Sequence, residues 1–354
     1  MKTILINGNF LCRNLTGIER YAFQVCSEMD KLLDKSDDIA LLVPANAKIV
    51  PEYTHIKIIR SKKKIKSFPL WDLVIFALEA KKRNAMPLNF SNTAPLGYNC
   101  GVAYLHDIYA HDYPADFTTF KDKLIRIYSN LNYANIAKNA TKIITVSQFS
   151  KERIVSSYGV KADKIEVIGN GWEHFKAVKT EESVFERFPN LIEKKFYFTL
   201  GSLSRRKNLF WILQYAKKHP YDVFAISGKA ISGLVPKELE EIKTLKNVVL
   251  LGYVTDGEVK ALMKKCKAFI FPSYYEGFGI PPLEALSEGA KVICAKAASL
   301  PEIFGNSVHY IDPYNTDCNL DELLAEQTKN CIEVLEKYTY KNAAKSLLDL
   351  LKRL

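Results

Sequence analysis

FPSYYEGFGIPPLEALSEGAKVICA, residues 271–295, is the stretch on which the reading of the fold turns. It opens at the end of an apolar run, 267–271, that reads as a buried parallel strand. A loop follows with two glycines, Gly277 and Gly279, two carboxylates eight positions apart, Glu276 and Glu284, and the pair Pro281-Pro282. Proline is accepted in a helix's first turn, where the N–H it lacks has no partner. Residues 283–288 are therefore expected to be helical, with Glu284 in the first turn. Unpaired N–H groups at such a start attract an anion, and glycines let a ligand approach the main chain. Strand tip, glycine loop, helix start and a carboxylate able to chelate a ribose diol together describe a nucleotide site. The same parts also occur without a ligand, since acids in a first turn are ordinary partners of the helix dipole.

Outward from this stretch, strand-like and helix-like runs alternate along the whole chain, the pattern of doubly wound α/β folds. Downstream of residue 195, strands are expected at 196–200, 222–227, 248–251, 268–271 and 292–294, with helices at 208–218, 236–245 and 256–265. In the first half the expected strands are 3–6, 39–43, 56–59, 102–105 and 143–146, and the helices 18–33, 71–82, 121–138 and 148–158, the last capped by Ser147. Residues 172–195 are charged and show no clean period, so they read as a hinge region. The tail, 320–337 and 341–351, is amphipathic and helical. The expected domains are 1–190 and 191–337, both Rossmann-like.

A chain of 354 residues is long enough for two such domains and a sizeable core. Seven scattered cysteines without a C-x-x-C pair suggest reduced thiols in a cytosolic compartment. The first residues are too short an apolar run for a signal peptide, and no stretch has the length of a membrane span, so a soluble protein is expected. The net charge of +11 calls for an anionic partner. Its lysine clusters, 62–66 and 81–83, come with no nucleic-acid-binding pattern, so an anionic membrane surface ranks above nucleic acid. A solvated basic face is the plain alternative.

Two further segments carry chemistry. Gly201-Ser-Leu-Ser-Arg-Arg-Lys-Asn208 lies at a strand-to-helix turn, where Arg206 and Lys207 offer a fork and a point charge to a departing diphosphate. His106-Asp107 and His111-Asp112 offer ligand types suited to a metal, but the histidines are five apart, not the four that one helix face presents, and no third cluster joins them. A metal is not expected.

The order E-x7-E within EGFGIPPLEA resembles the signature of the retaining, GT-B-type glycosyltransferases of family 4. The resemblance extends through Thr16-Gly-Ile-Glu-Arg-Tyr21, His106-Asp107, Thr145-Val-Ser-Gln-Phe-Ser150, Ile168-Gly-Asn-Gly171, 201–208 and 250–253, in the family's order. It departs where Ser202 stands in place of an arginine after the glycine, which makes Arg206 the substitute and Arg205 its rival, and where Gly169 replaces a proline.

The resemblance implies two Rossmann-like domains facing across a cleft, the donor on the second and the acceptor on the first. A terminal helix, about 338–354, would pack back on the first. It implies Glu276 beside the transferred sugar, Glu284 on the ribose, and Gly17, Gly277, Phe278, Gly279 and Ile280 around the donor. His106 is placed at the donor sugar. The expected reaction moves a hexose from a nucleoside-diphosphate sugar to a glycan or lipid-linked acceptor, without cofactor or metal, in bacterial surface polysaccharide synthesis. The enzyme is expected to be cytoplasmic, at the inner face of the plasma membrane, and the RKN variant of 206–208 points to mannosyl or rhamnosyl transfer. A non-hydrolysing nucleotide-sugar epimerase and a nucleotide-sugar-binding assembly protein without turnover are the alternatives.

Overall fold

The computed structural model describes residues 3–15, 17–34, 37–96, 100–193, 195–200, 204–228 and 245–354. The expected helix at 236–245 and the loop residues 201–203 fall almost wholly or wholly outside them. The chain divides into two compact units. The first comprises Met1–Asp112, Ile125–Gly171 and Tyr338–Leu354, and the second Tyr113–Leu124 and Trp172–Lys337.

The first unit is built on β1 (Ile4–Asn7), β2 (Ile39–Val43), β3 (Lys57–Arg60), β4 (Met86–Asn89), β5 (Val102–Tyr104), β6 (Lys142–Thr145) and β7 (Ile165–Val167). They form one sheet in the order β3-β2-β1-β4-β5-β6-β7, and every pairing in it is parallel. β1 and β2 are buried at every position, as a parallel sheet covered on both faces requires. The second unit repeats the scheme with β8 (Phe196–Leu200), β9 (Val223–Ser227), β10 (Val248–Gly252), β11 (Ala268–Phe271), β12 (Val292–Ala295) and β13 (His309–Ile311). Its order is β10-β9-β8-β11-β12-β13, again all parallel. In both sheets the order reverses beside the first strand, which in open α/β sheets is where ligands gather, at the carboxyl ends of the strands.

The helix Ile18–Leu32 buries Tyr21, Val25 and Met29. The same core cluster holds Tyr340, Ala344, Leu347 and Leu351 of the helix Tyr340–Lys352. Each leucine fully buried there contributes about 1.5–3 kcal/mol, so this helix is an integral part of the first unit.

The division between units falls at Gly171/Trp172, not at 190/191. Residues of the expected hinge form short helical turns, Glu173–Ala177, Ser183–Arg187 and Asn190–Glu193, fastened to the helix Asp256–Lys265. The buried Lys260 ammonium donates to the carbonyls of Phe175 (2.8 Å) and Val178 (3.0 Å). Ser183 and Arg187 both donate to Glu258, at 2.9 and 2.6 Å. Of the charges in this segment, Arg187 and Glu182 pair with that helix, at Glu258 and Lys265.

All seven cysteines are free thiols. Among the described residues no helix is long and apolar enough to cross a membrane.

Candidate active site

β11 delivers the chain into the loop 272–279 at the switch point of the second sheet, next to β8. Two side chains and one main-chain bond hold this loop. Asn208 sits in the left-handed region (φ 56°), which asparagine tolerates better than most residues, and its amide donates to the carbonyls of Pro272 (3.0 Å) and Pro313 (2.7 Å). The Ser299 hydroxyl donates to the carbonyls of Glu276 (2.9 Å) and Phe278 (3.3 Å). The amide N–H of Tyr274 donates to the Arg206 carbonyl at 3.1 Å. The turn that carries the basic residues and the loop that carries the acid are thus tied together.

Glu276 is buried, and its Oε1 accepts from Lys207 Nζ at 2.7 Å. Lys207 Nζ also lies over the Phe271 ring, 4.5 Å from its centroid. Burial pushes the Glu276 carboxyl up, but the charges of Lys207 and Arg206 more than offset it, so its pKa is lowered and it is ionised at neutral pH. Arg206 therefore shares Glu276's field, whereas its rival Arg205 is exposed. One carboxylate from the loop after β11 and two cations from the turn Arg205–Lys207 converge in the second unit.

The helix after the loop starts earlier than expected. It runs Ile280–Ser287 with Gly279 as N-cap, so Pro281 and Pro282 are inside its first turn and Glu284 lies in the second. The two prolines remove two of the four orphan N–H groups of a helix start, and Gly279 and Ile280 retain theirs. Positive charge for an anion comes mostly from Arg206 and Lys207.

Gly279 has φ 106°, and a Cβ there would lie 2.7 Å from Leu300 Cδ2 and 3.2 Å from Phe304 Cε2. Its bare side is filled by the helix Leu300–Phe304, which gives packing, rather than ligand approach, as the reason for this glycine. Gly279→Ala should lower stability by about 1–3 kcal/mol, read as a fall in the thermal midpoint. An unchanged midpoint would refute that reading.

Glu284 is buried, and its Oε1 meets His174 Nε2 at 3.0 Å, both side chains almost wholly covered. His174, in the segment read as a hinge, was not singled out from the sequence. Its signal was weak, a lone histidine in Glu173–Ala177 with no local pattern around it.

In the first unit, Gly17 caps the helix Ile18–Leu32 with φ 51°, and a Cβ there would meet nothing within 4 Å. Its conformation, not crowding, asks for glycine. His106 follows β5, buried between Tyr104 (5.4 Å, stacked) and Tyr21 (5.7 Å, edge-on). Burial lowers its pKa against the opposing Phe90 carbonyl and Asp107, so the ring is neutral at pH 7. Nε2 lies 2.7 Å from the Phe90 carbonyl. An imidazole nitrogen facing a carbonyl carries the proton, which leaves Nδ1 with its lone pair. Asp112, one of the metal-type residues, is gripped bidentately by Arg153 at 2.7 and 2.9 Å.

A second polar group escaped the sequence reading. Asp72, in a π-helical turn Trp71–Ile75, accepts from Asn7 (3.0 Å), Asn9 (2.7 Å) and Thr93 (3.0 Å) at the ends of β1 and β4. Burial raises its pKa although these three donors oppose it. Only their separation in sequence hid them.

These two sheets and their order make the protein an α/β chain of GT-B type, and the chain belongs to the family 4 glycosyltransferases. Residues 15–174 match "Glycosyltransferase Family 4" and residues 182–345 match "Glycosyl transferases group 1". The chain is 30% identical over 189 residues to O-antigen chain mannosyltransferase B of Escherichia coli, covering 51% of this chain and 49% of that one. It is 26% identical over 225 residues to O-antigen chain mannosyltransferase RfbU of Salmonella typhimurium, covering 63% and 59%. The matches thus span about half to three-fifths of these curated relatives. In fold it resembles sucrose-phosphate synthase from Thermosynechococcus elongatus, with TM-score 0.73 and 15% identity over 100% of this chain and 99% of that one.

Proposed function

We propose that the protein is a retaining, metal-independent hexosyltransferase of polysaccharide synthesis, with mannose as the transferred sugar and a glycan or lipid-linked hydroxyl as acceptor. Family membership and the names of the two O-antigen relatives support the class and the sugar. The observation that carries the reading is the convergence of Glu276 with Lys207 and Arg206.

In this reading the bond between the anomeric carbon and the diphosphate breaks, and its electron pair leaves with the phosphate. Lys207 and Arg206 stabilise that charge. The acceptor oxygen bonds to the same face of the carbon, and its proton passes to the departing phosphate oxygen. Glu276 holds sugar hydroxyls, and Glu284, oriented by His174, binds the ribose. The neutral His106 offers its Nδ1 lone pair as positive charge develops on the sugar.

A thermal-shift panel of UDP, GDP, dTDP and ADP tests the site, since a bound nucleotide raises the midpoint through RT ln(1 + [L]/Kd). One base should give a shift of several degrees; no shift with any would overturn the reading. Transfer from the matching mannose donor, with the anomeric configuration kept, separates it from epimerisation and from binding without turnover.

If Glu284 binds the ribose, Glu284→Ala should weaken nucleotide binding by about 1.5–3 kcal/mol for each charged hydrogen bond lost, and titration calorimetry measures this directly. Unchanged affinity would remove Glu284 from the site. Transfer should also continue in excess EDTA, because arginine and lysine supply the positive field. Loss of activity restored by manganese or magnesium would contradict this.

A further inference from the structure

At the switch point of the first sheet, between β1 and β4, a buried polar network holds the loop on which His106 rests. Asp72 is at its centre, and its hydrogen-bond partners among the described residues are two amides and a hydroxyl. Oδ1 accepts from Asn7, the last residue of β1, at 3.0 Å and from Asn9 at 2.7 Å. Oδ2 accepts from Thr93 Oγ1 at 3.0 Å. Thr93 shares a hydrogen bond of 2.9 Å with Ser91 Oγ, which also accepts from the Asn9 amide at 3.3 Å. Trp71, the residue before Asp72, donates from Nε1 to Asn7 Oδ1 at 2.9 Å. The π turn thus turns two consecutive side chains to one strand end, and such turns recur at functional sites.

The loop 90–93 is also the seat of His106. The Phe90 carbonyl lies 2.7 Å from its Nε2, and Asn92 Oδ1 accepts from its main-chain N–H at 2.8 Å. Both contacts therefore come from the segment that Asp72 ties to β1. A buried carboxylate met only by neutral donors is costly, and apolar side chains of the same shape often serve stability as well. What a fully connected polar network adds is a single fixed arrangement. Here the thing fixed is the acceptor for the imidazole proton.

We propose that Asp72 is a positioning residue for His106: it anchors the loop 90–93, whose Phe90 carbonyl keeps the ring proton on Nε2 and the lone pair on Nδ1. The inference deepens the reaction proposed above and rests on its placing of His106 at the donor sugar. The protonation pattern of the ring, however, is read without donor or acceptor, so the two can fail separately.

Nitrogen-15 spectra of the full chain, labelled at histidine and recorded at about pH 8 where the ring is neutral, test it. The His106 signals are those missing from His106→Gln. In the parent they should report one tautomer, protonated at Nε2. Asp72→Leu has a similar shape but no acceptor for Asn7, Asn9 or Thr93. It should populate the second tautomer, which draws the two ring signals together, and lower kcat about a hundredfold with donor KM unchanged, as a misplaced group does. Thr93→Val cuts only the tie to the loop and should move both readouts the same way, so the test survives a leucine variant that does not fold. Asp72→Asn should keep the parent signals and most of the activity. Its oxygen accepts from the two amides, and its amide donates to the Thr93 hydroxyl, which accepts as well as donates. Parent ring signals in Thr93→Val or in a folded Asp72→Leu overturn the proposal, as does an unchanged kcat in either. So does an Asp72→Asn variant that behaves like the leucine one. A parent that transfers no mannose overturns the reaction instead, and the ring signals alone then decide the positioning.

Discussion

Glu276→Gln should lose about a hundredfold or more in kcat, as removal of a positioned transition-state contact does, with no weakening of nucleoside-diphosphate affinity. A group that orients sugar hydroxyls acts most strongly as the anomeric carbon becomes positive, so its loss falls on kcat more than on donor KM. The structure adds a reason for the unimpaired affinity. Glu276 holds Lys207 at 2.7 Å, and an incoming diphosphate has to draw the ammonium away. Glutamine keeps the shape of the side chain but gives up the charge, so Lys207 is freer to meet the phosphate and affinity stays level or rises. Single-turnover kinetics with calorimetry of the nucleoside diphosphate separates the two effects. A fully active Glu276→Gln would remove the residue from catalysis. A sugar trapped on the protein, or rescue by azide with inverted product, would show that a nucleophile acts in place of front-face substitution.

Lys207→Ala should cost both activity and stability. Removing one partner of a buried ion pair costs about 3–5 kcal/mol; Arg206 still faces Glu276, which places this loss near the lower bound. The effect has a pH signature. In the parent protein the folded pKa of Glu276 is lowered, so its contribution is present above the unfolded value of 4.5 and is lost as pH falls through the folded value. Without Lys207 the largest charge opposing burial is gone, so the folded pKa rises from its parent value. The buried carboxylate then destabilises at neutral pH, and protonation relieves it as pH falls through the raised value. The gap in thermal midpoint between parent and variant should therefore be widest at about pH 7–8 and narrow towards about pH 5. A gap independent of pH would show that Lys207 stabilises by packing on Phe271 alone. Activity should fall by about a hundredfold or more as well, since the departing diphosphate loses a fixed cation.

The strands that could be read directly were those whose burial is written in consecutive apolar residues. Phe196–Leu200 and Ala268–Phe271 fall where the sequence placed them. So does the helix Gln148–Tyr158, because Ser147 caps it through the Ser150 amide at 3.1 Å. β4 was not expected, since Pro87 inside Met86–Asn89 argues against a central strand, yet it pairs with β1 and β5. β7 and β13 are only three residues long, too short for a period to show. The tail reads as two helices but breaks at 326–331, after Leu320–Ala325. At the candidate site the loop residues were legible because they are contiguous. The partners that fix them, His174 on Glu284 and Ser299 under Glu276 and Phe278, are 110 and 21–23 positions away. No local pattern links residues so far apart.

The helix Tyr340–Lys352 has a consequence for how the protein is made. Its apolar face belongs to the same core as Tyr21, Val25 and Met29, yet the ribosome reaches it only after the whole second unit. At about 5–20 residues per second, the first sheet waits on the order of tens of seconds with that flank bare. The second unit, apart from Tyr113–Leu124, is continuous in sequence and can finish folding first. Assembly thus runs against the order of synthesis, and the first unit, begun first, is the last to be completed.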